Sequence, residues 1–95
     1  MINYELVILF YINKNIIKSE IIKKIINLII EYKGLIKNCE DLGNINLYYF
    51  IKNQKKANLI ILNIECNKNV IKKLEKIIKY NEFIIRHIIV LLKKN

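Results

Sequence analysis

An α+β sandwich of element order βαββαβ, with a four-stranded antiparallel sheet carrying two helices on one face, is the architecture this sequence predicts. Three observations carry it. The apolar residues switch from the period of a strand to that of a helix and back, twice along the chain. Asn, Lys and the two glycines cluster at the switches, where turns are needed. Finally, 95 residues that are 54% hydrophobic and 26% charged suit one domain, residues 1–95, with one core.

The first element, residues 3–12 (NYELVILFYI), is apolar on both faces, as a central strand must be. Strand alternation puts Tyr4, Leu6, Ile8 and Phe10 on one face and Glu5, Val7, Leu9 and Tyr11 on the other. Asn15 is placed as an N-cap for a helix over 16–33. There Ile21, Ile22, Ile25, Ile26, Leu28, Ile29 and Tyr32 form a stripe at spacings of three and four. Isoleucine loses rotamer freedom in a helix, so this stripe must be held by packing and not by propensity. Gly34 is expected to stop the helix at positive φ.

Residues 35–51 read as a strand broken by a bulge or loop at Asp41-Leu42-Gly43-Asn44. A turn is expected at Asn53 to Lys55, then a strand over 56–66 with Ile60, Leu62, Ile64 and Cys66 facing the core. Asn67-Lys68-Asn69 opens a second helix, 68–80, whose buried stripe is Val70, Ile71, Leu74, Ile77 and Ile78. A last strand covers 83–92. Right-handed crossovers put both helices on one side of the sheet, with the first and third strands central: the ferredoxin-like arrangement. The opposite side is then bare. Its expected residues are Val7, Leu9, Tyr11, Ile61, Arg86, Ile88 and Val90, an apolar patch of the kind that marks a partner surface.

Composition narrows function by exclusion. The formal charge of +9 favours an anionic partner. Lys, Asn and Ile make up more than half the chain, however, and all three have AT-rich codons, so part of that charge is codon drift. The apolar runs Leu6–Ile12 and Ile88–Leu92 fall far short of the ~20 residues of a membrane span. The N-terminus lacks the basic, apolar and small-residue order of a signal peptide, so a cytosolic or organelle-interior location is expected. Cys39 and Cys66, with His87 the sole histidine, are too few ligands for a zinc site and read as reduced thiols on paired strands.

Catalysis is not expected. The sequence holds neither a Gly-rich phosphate loop nor a nucleophile elbow. Glu40 and Asp41 are adjacent, so on an extended chain they point to opposite faces and cannot act as a pair. His87 reads as a half-buried packing residue of the last strand. Base stacking on the central strands, as in RNA-recognition modules, is disfavoured because ANLIILNIEC contains no aromatic residue.

Several segments, in order, resemble the bacterial small-subunit ribosomal protein S-six family. NYELVIL is similar to the family's opening Tyr-Glu pair and apolar strand, and EDLG (40–43) to its acidic-Leu-Gly segment. LYYFI (47–51) resembles Leu-Ala-Tyr-Pro-Ile, with Leu47, Tyr49 and Ile51 matching. KKA (55–57) with NIE (63–65), and VIKKLEKIIKYNEFIIR (70–86), resemble the third strand and the second helix with its exit. The resemblance implies the same fold, no enzyme activity and no cofactor. It also implies binding to the central domain of small-subunit rRNA as a heterodimer with the eighteenth small-subunit protein. Lys52, Lys55, Lys56 and Arg86 are the candidate RNA contacts, with Ala57 small enough for close backbone approach. Val7, Leu9, Tyr11, Ile61, Ile88 and Val90 are the candidate protein contacts.

Three departures modify this reading. Asn44-Ile45 stand where the family has a basic pair, Phe50 replaces its proline, and the chain stops at Asn95 without the common C-terminal extension. Together with the codon bias they point to a reduced genome, an endosymbiont's or an organelle's. A protein-interaction or regulatory module of the same fold, without RNA binding, is the competing expectation. An acylphosphatase-like enzyme would need an anion-cradling loop beside an arginine, and the one arginine lies within the last strand.

Overall fold

The computed structural model describes residues 1–12 and 14–92, apart from the Asn15 side chain. Its elements are β1 (Ile2–Phe10), α1 (Asn15–Glu31), β2 (Leu35–Ile51), β3 (Gln54–Cys66), α2 (Lys68–Lys79) and β4 (Ile84–Leu91). The sheet is antiparallel in the order β2-β3-β1-β4, so the two strands that contribute most to the core are the central pair. Both helices cover the same side of it.

One side of each strand builds the core. Tyr4, Leu6, Ile8 and Phe10 from β1 meet Ile60, Leu62, Ile64 and Cys66 from β3. Ile21, Ile25 and Ile29 of α1 and Val70, Ile71, Leu74 and Ile78 of α2 close over them. The stripes anticipated from spacing contain the buried apolar residues, although Ile22, Ile26, Leu28 and Ile77 are only half-buried and Tyr32 is exposed. Tyr32 instead lies under the Lys73 ammonium, 5.2 Å from its ring centre, tying the end of α1 to α2.

Local geometry differs from expectation at both ends of α1, whereas α2 starts after Asn67 as expected. α1 begins at Asn15 itself, with Lys14 in the capping position, so Asn15 is not the N-cap. At the other end the left-handed residue is Lys33 (φ 63°), not Gly34. Gly34 N–H donates to Ile29 O (2.8 Å) and Lys33 N–H to Ile30 O (2.9 Å), the paired bonds of a Schellman motif. Glycine is needed at 34 for another reason: a Cβ there would lie 2.8 Å from Glu65 O. Lysine at the left-handed position carries a steric cost that glycine would not. Lys33→Gly is therefore expected to stabilise the domain by about 1 kcal/mol, read as a rise of about 4–8 °C in Tm.

β2 runs unbroken from Leu35 to Ile51, yet slips register three times against β3. The break expected at 41–44 is a bulge within the strand: Leu42 and Gly43 together oppose Leu59 alone, and Gly43 takes φ 72°. The hairpin turn is also shifted. Ile51 pairs with Gln54, and Lys52 (φ 49°) and Asn53 (φ 63°) form a two-residue turn with both residues left-handed. Lys55 and Lys56 consequently belong to β3 and do not form the hairpin tip.

Candidate nucleic-acid and partner interface

Register fixes the composition of the bare side of the sheet row by row. One row runs Glu40–Ile61–Val7–Ile88, and the next toward the hairpin runs Leu59–Leu9–Arg86. On the far side lies Asn38–Asn63–Glu5–Val90. Val7, Leu9, Tyr11 and Ile61 are half-buried, whereas Ile88 and Val90 are 53% and 41% exposed. No helix covers these residues. Leu59 belongs to the patch too; alternation from Ile61 would have found it.

The patch is graded. At its far end Asn38 Nδ2 donates to Glu40 Oε1 (2.9 Å), and Lys37 Nζ stands 3.6 Å from Glu65 Oε2. The buried Oδ1 atoms of Asn3 and Asn63 have no hydrogen-bond partner among the described residues. Toward the hairpin the carboxylates disappear. The ion pairs among the described residues are Lys18–Asp41 and Lys37–Glu65, so the exposed Arg86 is paired with neither Glu5 nor Glu65.

Lys52, Lys55 and Lys56 are all exposed. Alternation sends Lys55 to the side of Ala57 and Leu59, and Lys56 to the helix side opposite Asn46. Lys55 stands four residues along β3 from Leu59, which is two strands from Arg86. Strand rise and spacing put the Lys55 and Arg86 backbones about 17 Å apart at the same end of the molecule. Lys52 lies beyond them in the turn. Ala57 is fully buried opposite Ile45 but does not belong to the core cluster, so its small size is used on the other side of the sheet.

A polar cluster that the sequence did not disclose stabilises the root of the hairpin. Lys18 of α1 reaches down to the sheet, where its ammonium donates to Asp41 Oδ2 (2.8 Å) and Asn58 Oδ1 (3.0 Å). Asn58 Nδ2 donates onward to Asn44 Oδ1 (3.2 Å), and Gly43 N–H to Asp41 Oδ1 (2.9 Å). The hydrogen bond from Lys18, then that from Gly43, holds the Asp41 carboxyl below its ordinary value, against a smaller opposing effect of burial. The cluster thus ties both flanks of the bulge, Asp41 and Asn44, and the bulged Gly43 to α1 and β3.

Nothing in this region has the form of a reaction centre. His87 is half-buried on β4 opposite Ile8. The Cys66 thiol is pushed up to about 11 by burial, which leaves it an unreactive core group. Cys39 is exposed and pairs with Leu62, four residues along β3 from Cys66, or about 14 Å by strand rise. The two thiols are therefore free and on paired strands, as expected, but too far apart along them to be neighbours. Among the described residues no cluster of three or more His, Cys, Asp or Glu could hold a metal ion, and no helix is long and apolar enough to cross a membrane.

Comparison with known proteins accords with this architecture. The family model described as Ribosomal protein S6 matches residues 3–91. The small ribosomal subunit protein bS6 of Buchnera aphidicola subsp. Cinara cedri is 42% identical over 89 residues, covering 94% of this chain and 70% of that protein. The crystal structure of 30S ribosomal protein S6 from Thermotoga maritima superposes with a TM-score of 0.87 over 96% of this chain and 87% of that one, at 20% identity, which speaks for the fold. With a family model covering almost the whole chain and a relative this similar along it, the chain belongs to the ribosomal protein S6 family, whose members are non-catalytic structural components of the ribosome.

Proposed function

We propose that this protein binds the central domain of small-subunit rRNA together with the eighteenth small-subunit protein, as a structural part of the small ribosomal subunit. The single observation that supports this most, beyond family membership, is the division of the uncovered side. An apolar patch (Val7, Leu9, Tyr11, Ile61, Ile88, Val90) adjoins an end of the sheet that holds Arg86, Lys52 and Lys55, with Lys56 beside them on the helix side, and the chain from Leu42 to Ile64 carries no carboxylate. The first suits a protein and the second a phosphate backbone. Arg86, unpaired by any acid among the described residues, can hold one phosphate through two parallel hydrogen bonds, while the lysines act as point charges. The Lys-, Asn- and Ile-rich composition supports a source with a reduced, AT-biased genome.

Binding of a central-domain rRNA fragment, with the eighteenth protein present, is the test. Lys55→Glu/Lys56→Glu is expected to weaken it at least about tenfold near 0.15 M salt and to make its salt dependence shallower by about two phosphate contacts. Affinity unchanged across several salt concentrations would remove both lysines from the interface. The competing reading, an interaction module of this fold without RNA, predicts no co-sedimentation with small subunits.

A further inference from the structure

Three consecutive aromatic residues, Tyr48, Tyr49 and Phe50, lie on β2 outside both the core and the apolar patch. Tyr48 is fully exposed, Tyr49 82% and Phe50 70%. None belongs to the core or packs against it. The register explains how they come to project. Asn46 pairs with Lys56 and Ile51 with Gln54, so four residues, Leu47 to Phe50, face Lys55 alone. The surplus chain on β2 is pushed off the ladder as a knuckle. β2 is moreover an edge strand, so no neighbour lies beyond it.

We propose that this knuckle is a stacking site for unpaired RNA bases, an inference that rests on the rRNA-binding reading above. Three arguments carry it. Leaving three aromatic rings in water forgoes several kcal/mol of burial, so an occupant is expected to cover them. The occupant's charge follows from the surroundings: between Asp41 and Glu65 the chain has no carboxylate and three lysines, Lys52, Lys55 and Lys56. A cationic protein segment would be repelled, and an anionic strand with flat apolar faces attracted. The spacing fits as well. On extended backbone Tyr48 and Phe50 project to one side about 7 Å apart, twice the 3.4 Å thickness of a base, so one base fits between their rings. Tyr49 points the other way and offers a second face. β3 lacks aromatics and those of β1, Tyr4 and Phe10, are buried under the helices, so stacking is moved from the sheet to its edge, where lysines flank it. Such stacking tolerates any base, because every base has a π-face.

The test uses the full chain with the eighteenth protein and two probes besides the central-domain rRNA fragment: a 12-nucleotide oligouridine and an RNA duplex of equal length. Tyr48→Ser/Phe50→Ser alters only exposed side chains, and an unchanged melting curve checks that the fold is intact. This variant is expected to bind the oligouridine and the rRNA fragment about 10- to 100-fold more weakly, with the salt slope and duplex binding unchanged. Tyr48→Phe should retain full affinity, and tyrosine fluorescence of the wild type should be quenched by oligouridine. If the aromatic variant binds RNA like the wild type while Lys55→Glu/Lys56→Glu does not, the stacking site is wrong and the rRNA reading stands. If the wild type binds no RNA even with its protein partner, both fall. Loss of affinity for the eighteenth protein, or for phosphatidylserine vesicles, with RNA affinity intact would assign the knuckle to that ligand instead and overturn the proposal.

Discussion

Alanine at position 34 is expected to destabilise the domain by about 3 kcal/mol, the upper end of what overpacking a closed site costs. The added methyl would stand 2.7 Å from Ile29 Cγ2, 2.8 Å from Glu65 O and 3.0 Å from Ile29 O. Two of these atoms are backbone carbonyls. One belongs to the last turn of α1 and the other to central strand β3, so neither can move without shifting a whole element. Ile29 is fully buried, and its side chain has nowhere to go. Chemical denaturation should show a lower midpoint with an unchanged m-value, because the fold is strained and not expanded. The effect is steric. Position 34 does not have positive φ, so the loss cannot be recovered by residues such as Asn that tolerate left-handed backbone. A variant as stable as the wild type would mean that α1 does not approach β3 as closely as described.

Removing the Asp41 carboxylate is expected to cost about 2 kcal/mol as Asp41→Ala, less than a fully buried broken pair because Asp41 is half in solvent. The side chains of Lys18 and Asp41 are 11% and 50% exposed, so the penalty falls on the lysine. Without Asp41 its ammonium retains one acceptor, Asn58 Oδ1, in a largely closed site. Asp41→Asn should cost less, since the amide oxygen still accepts from Lys18. Lys18→Met/Asp41→Leu should recover most of the loss, because an apolar pair avoids the desolvation cost. The pH dependence has a definite sign. Folding lowers the pKa of Asp41 from its ordinary value near 3.8, so its stabilisation is fully present above that value. It fades as pH falls through the still lower folded value, as proton uptake replaces the charge that Lys18 requires. The difference in stability between wild type and Asp41→Ala should therefore be constant near neutrality and shrink below about pH 4. A difference that grew on acidification would exclude the ion pair as its cause.

These two predictions concern features of different legibility. The glycine after α1 was visible as a helix stop, but for a mistaken reason: the left-handed position is Lys33, and Gly34 is required by a carbonyl 31 residues further along the chain. Lys18 sits among isoleucines in α1 and would pass for a solvated surface lysine; only the packing of α1 over the β2 bulge turns it inward. Tyr48 to Phe50 read as ordinary strand residues. That four residues of β2 oppose one of β3, and so throw the rings outward, depends on which residues pair across the hairpin.

Element order, the sidedness of both central strands and the buried stripes of both helices could be read from residue spacing alone. Periods of two and of three to four are local properties, set by the backbone geometry of a few consecutive residues. Where spacing was silent, the deciding contacts joined residues distant along the chain. The register of β2 on β3, the closure of Gly34 against Glu65 and the reach of Lys18 to Asp41 and Asn58 arise only when separate elements are packed together. No local pattern encodes such pairings, because their energy depends on two surfaces meeting and not on either segment by itself.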